Sequence, residues 1–160
     1  MKKKYRNVAM GGTFDVLHLG HLDLLKKAFD ISFYVVIGLT SDYFAKERLK
    51  KNLKNPFEIR LNNLKALITR EIGSTSFEIT KLEEEFGPLI LSNKIDCLVA
   101  SSETSKKGEL INKLRTDKGL DAIDIITVGL RMADDGLPIS STRIRNHEIN
   151  PYGKVLGSKK

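Results

Sequence analysis

Val8-Ala9-Met10-Gly11-Gly12-Thr13-Phe14-Asp15-Val16-Leu17-His18-Leu19-Gly20-His21 is the stretch whose reading decides the fold. Val8 to Met10 is a short apolar run suited to a buried strand, and Gly11-Gly12 marks a sharp turn where a β-carbon would clash. From Leu19 onward Leu22, Leu25, Ala28 and Phe29 recur at spacings of three and four, which predicts an amphipathic helix. His18 and His21 therefore share one face at the helix start, where free N–H groups and the dipole attract anions. A strand, a glycine turn and two histidines at a helix N-terminus make a phosphate-meeting site. It is neither of the common glycine-rich types, because the Gly-x-Gly-x-x-Gly spacing is absent and no Gly-Lys-Ser/Thr follows.

Outward from this stretch, strand and helix patterns alternate. Strands are predicted at about Tyr5 to Met10, Phe33 to Leu39, Ser76 to Leu82, Ile95 to Ala100 and Ile123 to Val128. Helices are predicted at about Leu19 to Asp30, Glu58 to Arg70 and Glu109 to Lys118, with a short one beginning at Gly87. Thr40-Ser41-Asp42 supplies capping side chains, and Lys46 to Asn55 reads as a polar, basic connection that Pro56 closes. This order predicts an α/β architecture: a Rossmann-like, doubly wound, five-stranded parallel sheet, as one domain over residues 1–160. Such sheets bind ligands beyond the carboxyl ends of their strands. The first motif, Thr40-Ser41-Asp42, Ser101 to Thr104 and Gly129-Leu130-Arg131 are thus expected to border one crevice. Ser140-Ser141-Thr142 follows Gly136-Leu137-Pro138 and starts another helix, whose hydroxyls and N–H groups form an anion site.

Composition narrows the function classes. With 160 residues, 41% of them hydrophobic and 29% charged, the chain has the make-up of a soluble globular domain. A net charge of +7 invites a nucleic-acid reading, but no interleaved aromatic platform or zinc-ligand pattern accompanies it. A basic balance suits an enzyme with two polyanionic substrates equally well, and neither a nucleic acid nor a membrane is the expected partner. The apolar segment behind the basic start is too short for a signal or membrane span, so a cytoplasmic location is expected. The single cysteine, Cys97, excludes an internal disulfide and reads as a buried strand residue. No serine–histidine–aspartate triad is readable in this chain.

Gly12 to His21 matches Gly-x-Phe-Asp-x-x-His-x-Gly-His at every fixed position, and Ile139-Ser140-Ser141-Thr142-Arg143-Ile144-Arg145 is a complete Ile-Ser-Ser-Thr-x-Ile-Arg. In these two motifs the chain resembles the nucleotidylyltransferase superfamily. Val36 to Asp42, Ser101 to Asn112 and Asp134 to Arg145 extend the likeness to phosphopantetheine adenylyltransferases of the archaeal type, over about Val8 to Ile149. The resemblance implies transfer of the adenylyl group of ATP to 4'-phosphopantetheine, giving dephospho-coenzyme A and pyrophosphate, with no protein nucleophile. It also implies a magnesium ion that arrives with ATP, held by phosphate and water, and no metal site of the protein's own.

By the same resemblance His21 stabilises the transition state at the α-phosphate, and His18 contacts the triphosphate from the same face. Gly12, Thr13, Phe14, Arg131, Ser140, Ser141, Thr142 and Arg145 complete the expected ATP contacts, and Thr13, Ser102 and Glu103 the acceptor contacts, with Asn112 a further candidate. Arg143 and Arg145 cannot share one contact, because residues two apart on a helix point in different directions, and the resemblance favours Arg145 as the motif's fixed arginine. Relatives carry a lysine after the second strand that reaches the reacting phosphates; Lys46, Lys50, Lys51 and Lys54 compete for that place, and Lys50 is chosen. Asp15 is expected to hold the loop by accepting backbone N–H bonds, while Arg60 is open between a phosphate ligand and a surface residue. Two alternatives remain: a cytidylyltransferase acting on a small phosphorylated alcohol such as glycerol 3-phosphate, and a non-catalytic nucleotide- or RNA-binding protein.

Overall fold

The strand that leads into the first motif, β1 (Tyr5–Gly12), sits at the centre of a sheet that it shares with β2 (Ser32–Thr40), β3 (Phe77–Leu82), β4 (Cys97–Ser101) and β5 (Asp124–Val128). The computed structural model describes residues 3–85 and 91–157. The strand order is β3-β2-β1-β4-β5 and every pairing is parallel, with Val8 beside Val35 on one side and Cys97 on the other. The chain winds outward from β1 to β3 and returns to the far side of β1 for β4. That reversal opens a crevice above the carboxyl ends of β1 and β4, where ligands of doubly wound sheets bind.

Alternation along the strands feeds two cores. Val8 and Met10 of β1, Val35, Ile37 and Leu39 of β2, and Cys97 and Val99 of β4 pack with Leu25, Ala28 and Phe29 of α1 (Leu19–Ile31) and Leu64 and Ile68 of α2 (Phe57–Glu71). On the other face Ala9, Leu98 and Ala100 meet Ile111 of α4 (Gly108–Asp117). A fully buried side chain such as Leu25 or Ile37 contributes about 1.5–3 kcal/mol of hydrophobic stabilisation. Cys97 lies inside β4 as expected, and burial pushes its thiol up to about 12, with the carboxylates of Asp124 and Asp96 adding to the rise. A thiol held so firmly protonated is a packing group. No helix among the described residues is long and apolar enough to cross a membrane.

Three local expectations need correction. Gly11 and Gly12 do not form the turn: both belong to β1, and the left-handed residue is Phe14, with φ at 49°. The glycines serve close approach instead, since a β-carbon on Gly12 would lie 3.0 Å from the Phe14 ring. Gly38, paired with Gly11, is tighter still: its β-carbon would stand 2.6 Å from Leu82. Second, the basic connection from Lys46 is not irregular at its start. Phe44–Arg48 forms a π-helical turn in which the Leu49 N–H reaches the Phe44 carbonyl at 3.0 Å, anchored by the buried Phe44 and Ala45. Third, Ser102–Ser105, where no helix is predicted, makes one helical turn, α3. The short helix predicted to begin at Gly87 lies mostly outside the described residues, and Leu91 is in a turn.

Arg60 of α2 is neither a surface residue nor a phosphate ligand. It is wholly buried, and its donors go to the carbonyls of Asn55 (3.0 Å), Thr13 (3.0 Å) and Thr40 (2.9 Å) and to the Asp42 carboxylate (2.7 Å). One guanidinium thereby ties the carboxyl ends of β1 and β2 to the loop before α2. Replacing Arg60 by methionine keeps the volume and leaves three carbonyls without their donor. The expected loss of unfolding free energy is about 3 kcal/mol or more. Urea unfolding of the two proteins measures it, and a loss below about 1 kcal/mol would show that water substitutes for the guanidinium.

Candidate active site

Helix α1 is capped by imidazoles. His18 sits at the N-cap in extended backbone, with φ −151° and ψ 179°, and its Nδ1 accepts the Gly20 N–H at 3.0 Å. The Nδ1 of His21 in turn accepts the His18 N–H at 3.3 Å. This is the reciprocal capping box with two histidines in the roles usually held by serine and glutamate. Gly20 between them has no room for a side chain, because its β-carbon would meet His18 Cε1 at 2.8 Å. The two rings stack with centroids 3.8 Å apart, and Phe14 leans on His21 at 5.0 Å.

The cap fixes both the charge and the tautomer. Burial drives His18 down to about 4, against a rise from Asp23, and lowers His21 well below the usual imidazole range, with His18 and Lys51 adding to the effect. Both rings are therefore neutral near pH 7. Because each Nδ1 accepts a backbone N–H, the single ring proton of each resides on Nε2. Both histidines line the crevice, so the cap leaves two uncharged N–H donors for a ligand there.

Asp15 joins three segments. Its buried carboxylate accepts the backbone N–H groups of Lys54 (2.8 Å) and Asn55 (2.9 Å) and the Arg145 guanidinium (2.9 Å). The expected acceptance of loop N–H bonds is present, together with a link to the second motif. That motif forms α5 (Ser141–Arg145), with Ser140 as N-cap taking the Arg143 N–H at 3.2 Å. Ser141 donates its hydroxyl to the Val16 carbonyl at 2.9 Å, and Thr142 accepts from Arg145 at 3.1 Å. Arg143 turns away to Asp135, Glu148 and the Pro138 carbonyl, so it holds the preceding loop while Arg145 faces the crevice.

The crevice has two adjoining parts. One, of about 300 Å³, is lined by Gly12, Thr13, Phe14, His18, His21, Glu103, Ser140, Ser141, Thr142 and Arg145. The other, of about 270 Å³, shares Gly12 and Thr13 and is walled by apolar residues, among them Phe44, Leu49, Leu82 and Leu98. Lys51 lines both parts. Lys50 lines neither: the chain bends at Lys50, with φ at 56°, and Leu49 and Lys51 on either side of it line the crevice, although both lysines are exposed. Nothing in the sequence separates these two lysines.

Arg131 and Ser102 also lie outside the lining. Arg131 makes a two-pronged pair with Asp23 of α1 at 2.9 and 2.8 Å, and the Ser102 carbonyl takes the Ser105 hydroxyl at 3.1 Å. Asn112 is spent on both backbone groups of Ile123, guiding the chain into β5. Sequence reasoning weighed Lys51 but chose Lys50, and it missed Leu53, whereas Ser101 and Thr104, expected to border the crevice, do line it. Among the described residues, no group of three or more His, Cys, Asp or Glu is placed to hold a metal ion. The wall's Lys51, Arg145 and hydroxyl groups suit an anionic ligand.

Residues 9–147 match the family model described as cytidylyltransferase-like. The phosphopantetheine adenylyltransferase of Methanothermobacter thermautotrophicus is 39% identical over 156 residues, spanning 98% of this chain and 93% of that protein. That of Methanosarcina acetivorans is 42% identical over 152 residues, spanning 92% and 94%. Among solved structures, a protein of unknown function from Archaeoglobus fulgidus superposes with a TM-score of 0.67 at 36% identity, covering 76% of this chain and 88% of its own. With both signature motifs meeting in one crevice, the chain belongs to the phosphopantetheine adenylyltransferase family of the cytidylyltransferase-like nucleotidyltransferases.

Proposed function

We propose that this chain transfers the adenylyl group of ATP to the phosphate of 4'-phosphopantetheine, releasing pyrophosphate and forming dephospho-coenzyme A. The observation that carries the reading is the pair of neutral, tautomer-fixed imidazoles set in one cleft with Lys51 and Arg145. In the reaction an oxygen of the acceptor phosphate forms a bond to the α-phosphorus of ATP, and the bond from that phosphorus to the bridging oxygen of pyrophosphate breaks. The step needs in-line placement and stabilisation of spreading phosphate charge. His21 donates from Nε2 to an α-phosphate oxygen, and His18 donates from the same face. Arg145 and the Ser140–Thr142 turn receive the leaving phosphates, Lys51 spans both parts of the crevice, and magnesium travels with the triphosphate. The apolar part beside Thr13 takes the pantetheine arm.

Pyrophosphate release with magnesium, crossing ATP and CTP against 4'-phosphopantetheine and glycerol 3-phosphate, tests the reading. Release with ATP and 4'-phosphopantetheine alone is the expected result. Release with CTP and glycerol 3-phosphate would replace the substrates, and silence in every combination would leave only a binding protein.

His21→Ala is expected to lower kcat about 100-fold or more with the fold intact. Lys51→Ala should cost about tenfold or more and Lys50→Ala less than about threefold, since only Lys51 lines the crevice. Equal losses at the two lysines would reject that assignment.

The histidine pair also sets a pH dependence. Unfolded imidazoles titrate near the ordinary 6.5, whereas folded His18 titrates at about 4 and His21 also lower than normal. Between those values the unfolded chain binds more protons, so stability is full above about pH 6.5 and falls as the pH drops toward 4. Urea midpoints at pH 7.5, 5.5 and 4.5 measure this against a His18→Asn, His21→Asn double variant, which carries the same carboxylates. A wild-type curve as flat as the variant's over this window would show that the rings are not buried neutral.

A further inference from the structure

The buried Arg60 reaches the crevice through two hydroxyl groups. A guanidinium only donates hydrogen bonds. Its Nη1 donates to the Thr40 carbonyl at 2.9 Å and the Thr13 carbonyl at 3.0 Å and makes a longer, shared contact of 3.5 Å with Thr40 Oγ1, which lies 3.1 Å from Thr13 Oγ1. Thr40 is itself buried. Facing a cation, the Thr40 oxygen presents lone pairs to Arg60, which leaves its hydrogen for Thr13. Thr13 Oγ1 then acts as the acceptor of that pair, and its own hydrogen is left over. No protein acceptor among the described residues takes that hydrogen, and Thr13 lines both parts of the crevice.

We infer that Arg60 and Thr40 are positioning residues which orient the Thr13 hydroxyl as a fixed donor to a phosphoryl oxygen of a bound substrate. The inference rests on the adenylyl-transfer reading of the crevice. The order of donors runs one way, from Arg60 to Thr40 to Thr13, because its first member cannot accept. Hydrogen bonds in such a chain polarise one another, so the terminal hydroxyl is a stronger donor than an isolated threonine. Its direction is set before the ligand arrives, which removes a rotor that binding would otherwise freeze. Asp42 neutralises the opposite end of the guanidinium at 2.7 Å, and the positive charge stays behind the wall while its effect is felt at the cleft.

Thr40→Val and Thr40→Ser separate hydroxyl from shape. Valine keeps the branched outline and loses the hydroxyl; serine keeps the hydroxyl and loses a methyl. Separate KM values for ATP and 4'-phosphopantetheine are measured beside kcat and the melting temperature. The expected result is an approximately tenfold rise in KM for one phosphate substrate in T40V, with the other KM within about twofold and T40S close to wild type. A rise for ATP assigns the donor to the nucleotide, and a rise for 4'-phosphopantetheine assigns it to the acceptor. Unchanged KM values in folded T40V, equal rises for both substrates, or a T40S as impaired as T40V would overturn the relay. Should T40V not fold, T40C, whose thiol is a weak donor, takes its place with the same outcomes. Calorimetric titration of each substrate alone reads the donor without turnover: a wild type that binds but releases no pyrophosphate refutes the transfer reading, whereas identical binding by wild type and T40V refutes the relay.

Discussion

Withdrawing a carboxylate from water costs several kcal/mol unless hydrogen-bond donors replace the lost hydration. At Asp15 three donors come from two places: two backbone N–H groups of the loop before α2, and the guanidinium of Arg145 from the far end of the chain. The requirement is mutual. The loop that carries Lys51 must lie over β1 to satisfy Asp15, and α5 must approach the start of α1 for Arg145 to do the same. The crevice exists because these demands meet at one buried anion. Arg60 plays the opposite part a few residues away, as a buried cation surrounded by carbonyl oxygens and Asp42. Two buried charges of opposite sign, each satisfied locally, hold the mouth of the sheet in shape.

Between them the histidine cap solves a different problem. Phosphate chemistry asks for donors, yet too many fixed cations would grip the leaving pyrophosphate. Imidazoles whose Nδ1 atoms are occupied by backbone N–H groups supply direction without charge. Gly20 is part of this device, since any side chain there would displace the His18 ring. Spacing within the motif thus records a capping geometry as much as a catalytic one.

Much of this was legible in the chain. Short apolar and β-branched runs located all five strands, and spacings of three and four the long helices, because burial within a sheet or along a helix stripe is a local property. The divergence of Arg143 from Arg145 followed from helical geometry alone, and the role of Asp15 as an N–H acceptor from its place after a turn. What escaped was set by distant partners. The left-handed residue is Phe14 rather than a glycine because its ring is held between Gly12 and His21. Lys51 differs from Lys50 only through a bend that the π-helical turn and buried Phe44 impose. Arg60 looks like any helix-surface arginine until the ends of β1 and β2 are seen to close around it.

The order of the strands has a consequence for how the molecule is made. Synthesis delivers β1, β2 and β3 first, and these three pair in the sequence in which they emerge. The far edge of β1, with Val8 and Ala9, then waits for Cys97 and Leu98 of β4. Until β4 leaves the ribosome, the central strand of the sheet presents an open row of backbone donors and acceptors to its surroundings. An uncovered edge of this kind is a template for pairing with another nascent chain. The same β1–β4 juncture that forms the crevice in the finished molecule is therefore the place where a growing one most needs protection.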